Sequence, residues 1–158
     1  MRTNLGFMGF NDTDKVLLVT SSISGEGKSF IATNLAISIT LTGKKVALME
    51  MDLRKPKLSR HLHVKRDPGI TSYLAGKSAR EEIIKPVPEH TNLFLVTAGP
   101  IPPNPTELIG KGKFADLITY LKDNFDYVII DSAPIGPVTD AQLLSKYAQT
   151  TLYVVRHA

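Results

Sequence analysis

The residues best suited to chemistry are a lysine and a serine that follow a loop of small residues. Residues 17–19 form an apolar run, residues 20–27 are rich in Ser and Gly, and Lys28 and Ser29 come next. From residue 31 onward, apolar side chains recur every four residues, which predicts a helix. Glycine lets backbone N–H groups approach phosphate oxygens closely, and a helix N-terminus adds partial positive charge. The layout therefore predicts a phosphate-binding loop, in which Lys28 reaches the outer phosphates and Ser29 binds Mg²⁺.

This loop departs from the usual motif at one position. Ser22 stands where a glycine normally lies, five residues before the Gly-Lys pair. The alternative interpretation is a glycine-rich turn that binds nothing. Two acidic motifs later in the chain argue against that alternative.

Both acidic motifs follow apolar runs that predict buried strands. Glu50 and Asp52 come after residues 46–49, and Asp131 comes after residues 128–130. Aspartate also suits turns, so Asp131 alone is ambiguous. In open parallel sheets, however, ligands bind at the carboxyl ends of strands. We therefore expect the loop and both acidic motifs to converge on one crevice.

The order of elements predicts the fold class. Apolar strands alternate with helical patterns, which is typical of an α/β protein with a mainly parallel sheet and helices on both faces, a three-layer fold. The 158 residues are enough for a single domain. Strands are predicted at 15–20, 45–49, 92–97, 127–130 and 151–155, and helices at 29–42, 57–63, 70–75, 79–84, 114–124 and 140–147. A further helix is predicted to begin with Thr106 as its cap.

Composition excludes several classes of function. The sequence contains no cysteine, so it offers neither a disulfide nor a thiolate metal ligand. No apolar run approaches the roughly 18 residues of a membrane span. The net charge of +4 comes from scattered basic residues. They are not interleaved with aromatic side chains, which argues against a nucleic-acid partner.

The combination of motifs resembles a known family. Residues 20–29, 50–56 and 129–134 resemble the Walker A, Walker A′ and Walker B motifs of the bacterial tyrosine kinases that accompany exopolysaccharide and capsule export. Residues 99–108 and 138–141 agree with the same family. The related partitioning and cell-division ATPases carry an extra lysine early in the loop, where this sequence has residues 22–24, Ser-Ile-Ser.

The resemblance implies an activity, cofactors and partners. Family members bind ATP with Mg²⁺ and transfer the γ-phosphate to tyrosines in the C-terminal tail of a neighbouring subunit. They form homo-oligomeric rings in the cytoplasm, at the inner face of the membrane, and respond to a transmembrane activator, the polysaccharide co-polymerase. Carried over to this sequence, the catalytic residues are Lys28, Glu50, Asp52 and Arg54. The nucleotide-binding residues are Ser24, Gly25, Glu26, Gly27, Lys28, Ser29 and Phe30, and the metal-binding residues are Ser29, Asp52 and Asp131.

Two departures from the family leave three hypotheses open. Glu50 stands where the family has an aspartate thought to help deprotonate the tyrosine, and the five tyrosines of this sequence form no cluster. We therefore expect a C-terminally truncated kinase domain that lacks further helix–strand units and the tyrosine tail. The first hypothesis is a protein-tyrosine kinase. The second is a nucleotide-gated assembly module of the export machinery with little kinase activity, and the third is a partitioning-type P-loop ATPase.

Overall fold

The computed structural model describes residues 15–21, 27–110, 112–133 and 140–155. Strands and helices alternate along most of these ranges. In chain order they are β1 (Val16–Ser21), α1 (Gly27–Thr40), β2 (Val46–Met51), α2 (Leu58–His61), α3 (Ile70–Leu74), α4 (Arg80–Ile83), β3 (Ile84–Pro86), β4 (Leu93–Val96), α5 (Pro105–Ile109), α6 (Gly112–Asn124), β5 (Tyr127–Ser132), α7 (Asp140–Ser145) and β6 (Thr150–Val154).

The six strands form one sheet in the order β3-β4-β2-β5-β1-β6. All neighbouring strands are parallel except β3 and β4, which are antiparallel. The predicted fold class, a mainly parallel sheet with helices on both faces, is thus confirmed. Strand β3 was not predicted, because Ile84 was assigned to the predicted helix 79–84 and the two residues that follow, Lys85 and Pro86, are too few to predict a strand.

Two separate apolar cores lie on opposite faces of the sheet. Alternate residues of β1, β2 and β5 point to each face, so these central strands are buried on both sides. One core lies on the face of the sheet that α1 and α2 cover, the α1 face. The other core packs against helices α3 to α7. The helices on the two faces hold the central strands, whose carboxyl ends carry the predicted motifs.

The helix ends agree with the sequence in one place and differ in another. Gly43, predicted to end the first helix, has φ of 89° and donates its N–H to the Thr40 carbonyl at 3.0 Å. The predicted cap at Thr106 is wrong: α5 begins at Pro105, and Asn104 is the residue that precedes the helix. Proline suits this first helical position, because its missing N–H would have no intrahelical partner there. Among the described residues, no helix combines the length and the hydropathy that a membrane span needs.

Gly69 allows the loop before α3 to lie directly against the end of β4. A Cβ atom at this position would lie 2.2 Å from the Gly99 nitrogen and 2.6 Å from the Ala98 carbonyl carbon, and neither backbone atom can rotate away. We expect Gly69→Ala to lower the free energy of unfolding by roughly 1–3 kcal/mol, the range for overpacked sites. Urea denaturation measures this change. Gly112→Ala is the matched control, because nothing lies within 4 Å of its added Cβ, and it should leave stability equal or slightly raised.

Candidate active site

The strand register brings the two acidic motifs side by side. Glu50 on β2 pairs with Asp131 on β5, and Asp131 also pairs with Val19 on β1. Leu48 and Ile129, two residues earlier on each strand, belong to the core on the α1 face. Because side chains alternate along a strand, Glu50 and Asp131 also point toward the α1 face. The predicted convergence of the strand ends is therefore present in the sheet.

Helix α1 brings the loop lysine and serine to the same point. Lys28 and Ser29 lie in its first turn and are 4% and 8% exposed. The Lys28 ammonium forms an ion pair with Asp131 Oδ1. The Ser29 hydroxyl donates a hydrogen bond of 2.8 Å to Asp131 Oδ2. Both oxygens of Asp131 are thus engaged by the two residues expected to bind phosphate and metal.

Burial and the neighbouring side chains act in opposite directions on the pKa of Asp131. Burial raises the pKa of Asp131, since the carboxylate is removed from water, while Lys28 and Ser29 act in the opposite direction. The negative charge of Asp52 also contributes to raising the pKa of Asp131, so the two carboxylates lie within electrostatic range. A cation bound between them would relieve this repulsion.

Asp52 and Arg54 lie just beyond the end of β2. Asp52 is half-buried, and its Oδ1 accepts a hydrogen bond of 3.1 Å from the Lys55 backbone N–H, which forms a tight turn. Arg54 lies within this turn and is exposed. The turn therefore holds the Asp52 carboxylate against its own backbone and leaves Arg54 exposed to solvent.

Glu50 has a different environment from the other carboxylates. It is 1% exposed. Its Oε2 accepts hydrogen bonds from the Ser59 N–H at 2.8 Å and the Ser59 hydroxyl at 3.1 Å, and its Oε1 accepts one from the Ala98 N–H at 2.9 Å. Sequence reasoning missed Ser59 and Ala98, which lie 9 and 48 residues from Glu50 in the chain. Ser59 and Ala98 share no short sequence motif with Glu50 that could have predicted these contacts.

The remaining predicted nucleotide-binding residues divide into two groups. Ser24, Gly25 and Glu26 lie outside the described residues. Gly27 begins α1, and the Phe30 side chain is 68% exposed on that helix, unlike the buried Lys28 and Ser29. A contact between Phe30 and nucleotide stays a prediction.

Two hydroxyl groups tie the ends of β1 and β5 together. Thr20 Oγ1 donates to the Ala133 carbonyl at 3.2 Å, and Ser132 Oγ donates to the Val19 carbonyl at 3.1 Å. Both hydroxyls are buried, where polar groups need hydrogen-bond partners. They fix the strand that leads into the loop relative to the strand that carries Asp131.

The oxygen atoms available as metal ligands fit a hard cation that keeps further ligands of its own. Across the residues that the structure describes, no group of three or more His, Asp or Glu side chains is arranged to hold a metal alone. Mg²⁺ is usually held by one or two carboxylates together with water and substrate phosphates. Ser29, Asp52 and Asp131 supply a hydroxyl and two carboxylates, all oxygen donors. This set fits Mg²⁺ that arrives with a nucleotide.

Comparisons with known proteins agree with this geometry. A family model for ParA, described as "NUBPL iron-transfer P-loop NTPase", matches residues 12–155. The putative tyrosine-protein kinase CapB of Staphylococcus aureus is 34% identical over 155 residues, covering 98% of this chain and 68% of CapB. Tyrosine-protein kinase wzc of Salmonella typhi is 37% identical over 158 residues, covering 100% of this chain and 22% of wzc. The kinase domain of the Escherichia coli tyrosine kinase ETK superposes with a TM-score of 0.90 at 29% identity, covering 95% of this chain and 58% of that one.

The parallel sheet and the cluster of Lys28, Ser29 and Asp131 define a P-loop nucleotide-binding protein. Within the ParA-type P-loop NTPases, the chain belongs to the family of bacterial tyrosine-protein kinases that includes CapB and wzc. The family resemblance inferred from the sequence motifs is thereby confirmed. The chain spans about two thirds of the length of CapB (68%) and a much smaller share of wzc (22%).

Proposed function

We propose that the chain is the catalytic part of an ATP-dependent protein-tyrosine kinase of an exopolysaccharide or capsule export system. The observation that carries this proposal is the buried cluster in which Lys28 and Ser29 both contact Asp131. The relatives named tyrosine-protein kinases match 98% or more of the chain, which supports the same reaction. In this reaction the phenol oxygen bonds to the γ-phosphorus, the bond to ADP breaks, and the phenol proton is released.

The residues of the cluster and of the turn after β2 each have a role in this reaction. The Lys28 ammonium binds the β- and γ-phosphates, as the lysine of P-loop proteins does. Ser29, Asp52 and Asp131 would hold Mg²⁺, which would neutralise charge on the phosphate oxygens. Arg54, exposed in the turn after Asp52, contacts phosphate or the incoming protein chain. In a complex with ATP, Lys28 would exchange its contact with Asp131 for the phosphates, and Asp131 would then be among the residues that hold the metal.

Glu50 was predicted to accept the tyrosine proton. A general base must come within hydrogen-bond reach of the hydroxyl that it deprotonates. Glu50 is 1% exposed and its two oxygens already accept three hydrogen bonds. The base role therefore requires these contacts to open, and it stays a prediction.

The proposed partners follow from a reaction that phosphorylates the tail of another subunit. We infer that the substrate is a tyrosine-rich tail of a neighbouring subunit in a homo-oligomer. The activator is a transmembrane polysaccharide co-polymerase, which places the domain in the cytoplasm at the inner face of the membrane. No nucleic acid takes part.

Phosphorylation of a supplied peptide tests the proposal. We expect the chain, with Mg²⁺ and γ-labelled ATP, to transfer label to a tyrosine-rich peptide and not to the same peptide with phenylalanine at each tyrosine. Phosphotyrosine in the peptide is the readout. Mg²⁺-dependent ATP binding with no labelled peptide, even with the membrane activator present, would support the nucleotide-gated switch. Nonspecific DNA binding would support the partitioning ATPase.

A further inference from the structure

Glu50 connects three elements at the carboxyl edge of the sheet. Its carboxylate lies at the end of β2, Ser59 lies in α2, and Ala98 follows β4. Ser59 is 5% exposed and Ala98 is 1% exposed, so these hydrogen bonds are shielded from water. Hydrogen bonds to a charged acceptor in such surroundings are stronger than neutral ones.

The segment between Glu50 and Ser59 carries two of the residues assigned to the reaction. Asp52 and Arg54 both lie in it, within or beside the turn closed by the Lys55 N–H. Leu53 and Leu58 anchor the same segment, since they are 1% and 0% exposed. The Glu50–Ser59 contact closes the segment into a loop whose two ends are held together. Asp52 and Arg54 therefore lie within a loop whose two ends the Glu50–Ser59 contact joins.

We propose that Glu50 is a positioning residue, which acts with Ser59 to hold Asp52 in place for the metal that accompanies ATP. This role rests on the proposed function, because it assumes that Asp52 and Asp131 share Mg²⁺. Glu50 has the contacts that such a role needs: two donors from α2 on one oxygen and one donor from the β4 end on the other. It lacks the exposed oxygen that a base would direct at a tyrosine.

Removal of the Ser59 hydroxyl is the direct test. Ser59→Ala deletes the 3.1 Å bond to Glu50 but leaves the backbone N–H bond, so the helix keeps its anchor. Residues that orient metal ligands typically change metal affinity by about 10–100-fold when mutated. We expect Ser59→Ala to raise the Mg²⁺ concentration for half-maximal ATP binding by about tenfold, the low end of that range, since one bond remains. ATP binding without Mg²⁺ should not change.

Two further variants separate this role from a general loss of structure. Ser59→Thr keeps the hydroxyl and should restore the wild-type Mg²⁺ requirement. Ser72→Ala is the matched control, because the Ser72 hydroxyl accepts a hydrogen bond from the Gly69 N–H in another part of the fold. Its Mg²⁺ requirement should equal that of the wild type. Titration calorimetry with ATP at a series of Mg²⁺ concentrations measures all four proteins.

Glu50→Gln distinguishes positioning from proton transfer. The amide NH₂ would face an N–H donor, so the positioning role predicts weaker Mg²⁺-dependent ATP binding together with a loss of peptide phosphorylation. The base role predicts a loss of kcat with Mg²⁺-dependent binding intact, and that result would overturn the proposal, as would an unchanged Mg²⁺ requirement in Ser59→Ala. If the wild type shows no Mg²⁺-dependent ATP binding, the proposed function itself is wrong and the positioning role falls with it.

Discussion

Replacement of Lys28 by methionine is expected to abolish phosphate transfer. Methionine keeps most of the apolar stem but removes the ammonium that would contact the β- and γ-phosphates. Charge-assisted hydrogen bonds contribute roughly 1.5–3 kcal/mol in binding, and electrostatic stabilisation contributes more in the transition state, where a single donor is worth about 10²–10³ in kcat. We therefore expect no detectable phosphotyrosine in the supplied peptide. Turnover equal to that of the wild type would remove Lys28 from the mechanism.

The structure adds a consequence for stability. Lys28 neutralises Asp131 in a buried ion pair, with the two side chains 4% and 2% exposed. Removing one partner of such a pair leaves a buried charge uncompensated. The folded variant lowers this cost by binding a proton on Asp131, whose pKa burial already raises. Lys28→Met should thus be less stable than the wild type at neutral pH.

The pH dependence of this loss has a defined sign. Without Lys28, the pKa of Asp131 in the folded protein rises further above its unfolded value of about 3.9. The folded state then binds more protons than the unfolded state, so stability falls as pH rises through the raised pKa and levels off above it. Urea denaturation of Lys28→Met at pH 5 and pH 8 should show a smaller deficit at pH 5. Lys44→Met, at an exposed position after α1, is the control and should match the wild type at both pH values.

Local patterns were enough to predict the fold class and the convergence of motifs. Apolar runs located β1, β2, β4, β5 and β6, and the rule that ligands lie at strand ends placed Asp131 near Lys28 and Ser29. The pairing of Glu50 with Asp131 was not readable from either segment, since it depends on β5 lying between β1 and β2. A motif can be located from its own segment of the sequence, whereas the order of the strands depends on how the whole sheet assembles.

The environment of Glu50 shows what local patterns leave out. The apolar run before them places Glu50 and Asp52 at the same strand end but does not predict how each is buried. In the structure one is enclosed by hydrogen bonds from Ser59 and Ala98, and the other is half-buried in a turn. The difference arises because α2 and the end of β4 pack over position 50. The packing of distant elements therefore determines that the Glu50 carboxylate is buried and hydrogen-bonded within the protein, whereas Asp52 is only half-buried.

Asp131→Asn is expected to remove the Mg²⁺ dependence of ATP binding. Asparagine has the same shape but no charge, and a hard cation such as Mg²⁺ prefers charged oxygen ligands. The ammonium of Lys28 would also lose its buried partner and become available to phosphate. We therefore expect ATP binding without Mg²⁺ to be equal to or tighter than that of the wild type, and Mg²⁺ to add little. Titration calorimetry with and without Mg²⁺ separates the two contributions.

Two matched variants locate the effect at the carboxyl end of β5. Asp52→Asn keeps an oxygen that can accept from the Lys55 N–H, so its turn should persist while one charge near the metal is lost. It should reduce the Mg²⁺ contribution less than Asp131→Asn does, because, of these two carboxylates, Asp131 is the one that contacts both Lys28 and Ser29. Asp126→Asn is the control: Asp126 lies before the other end of β5 and accepts from the Lys45 N–H at 2.7 Å, a bond that an amide oxygen can also accept. If Asp131→Asn and Asp52→Asn both bind Mg-ATP as tightly as Asp126→Asn, the strand ends do not form the metal site.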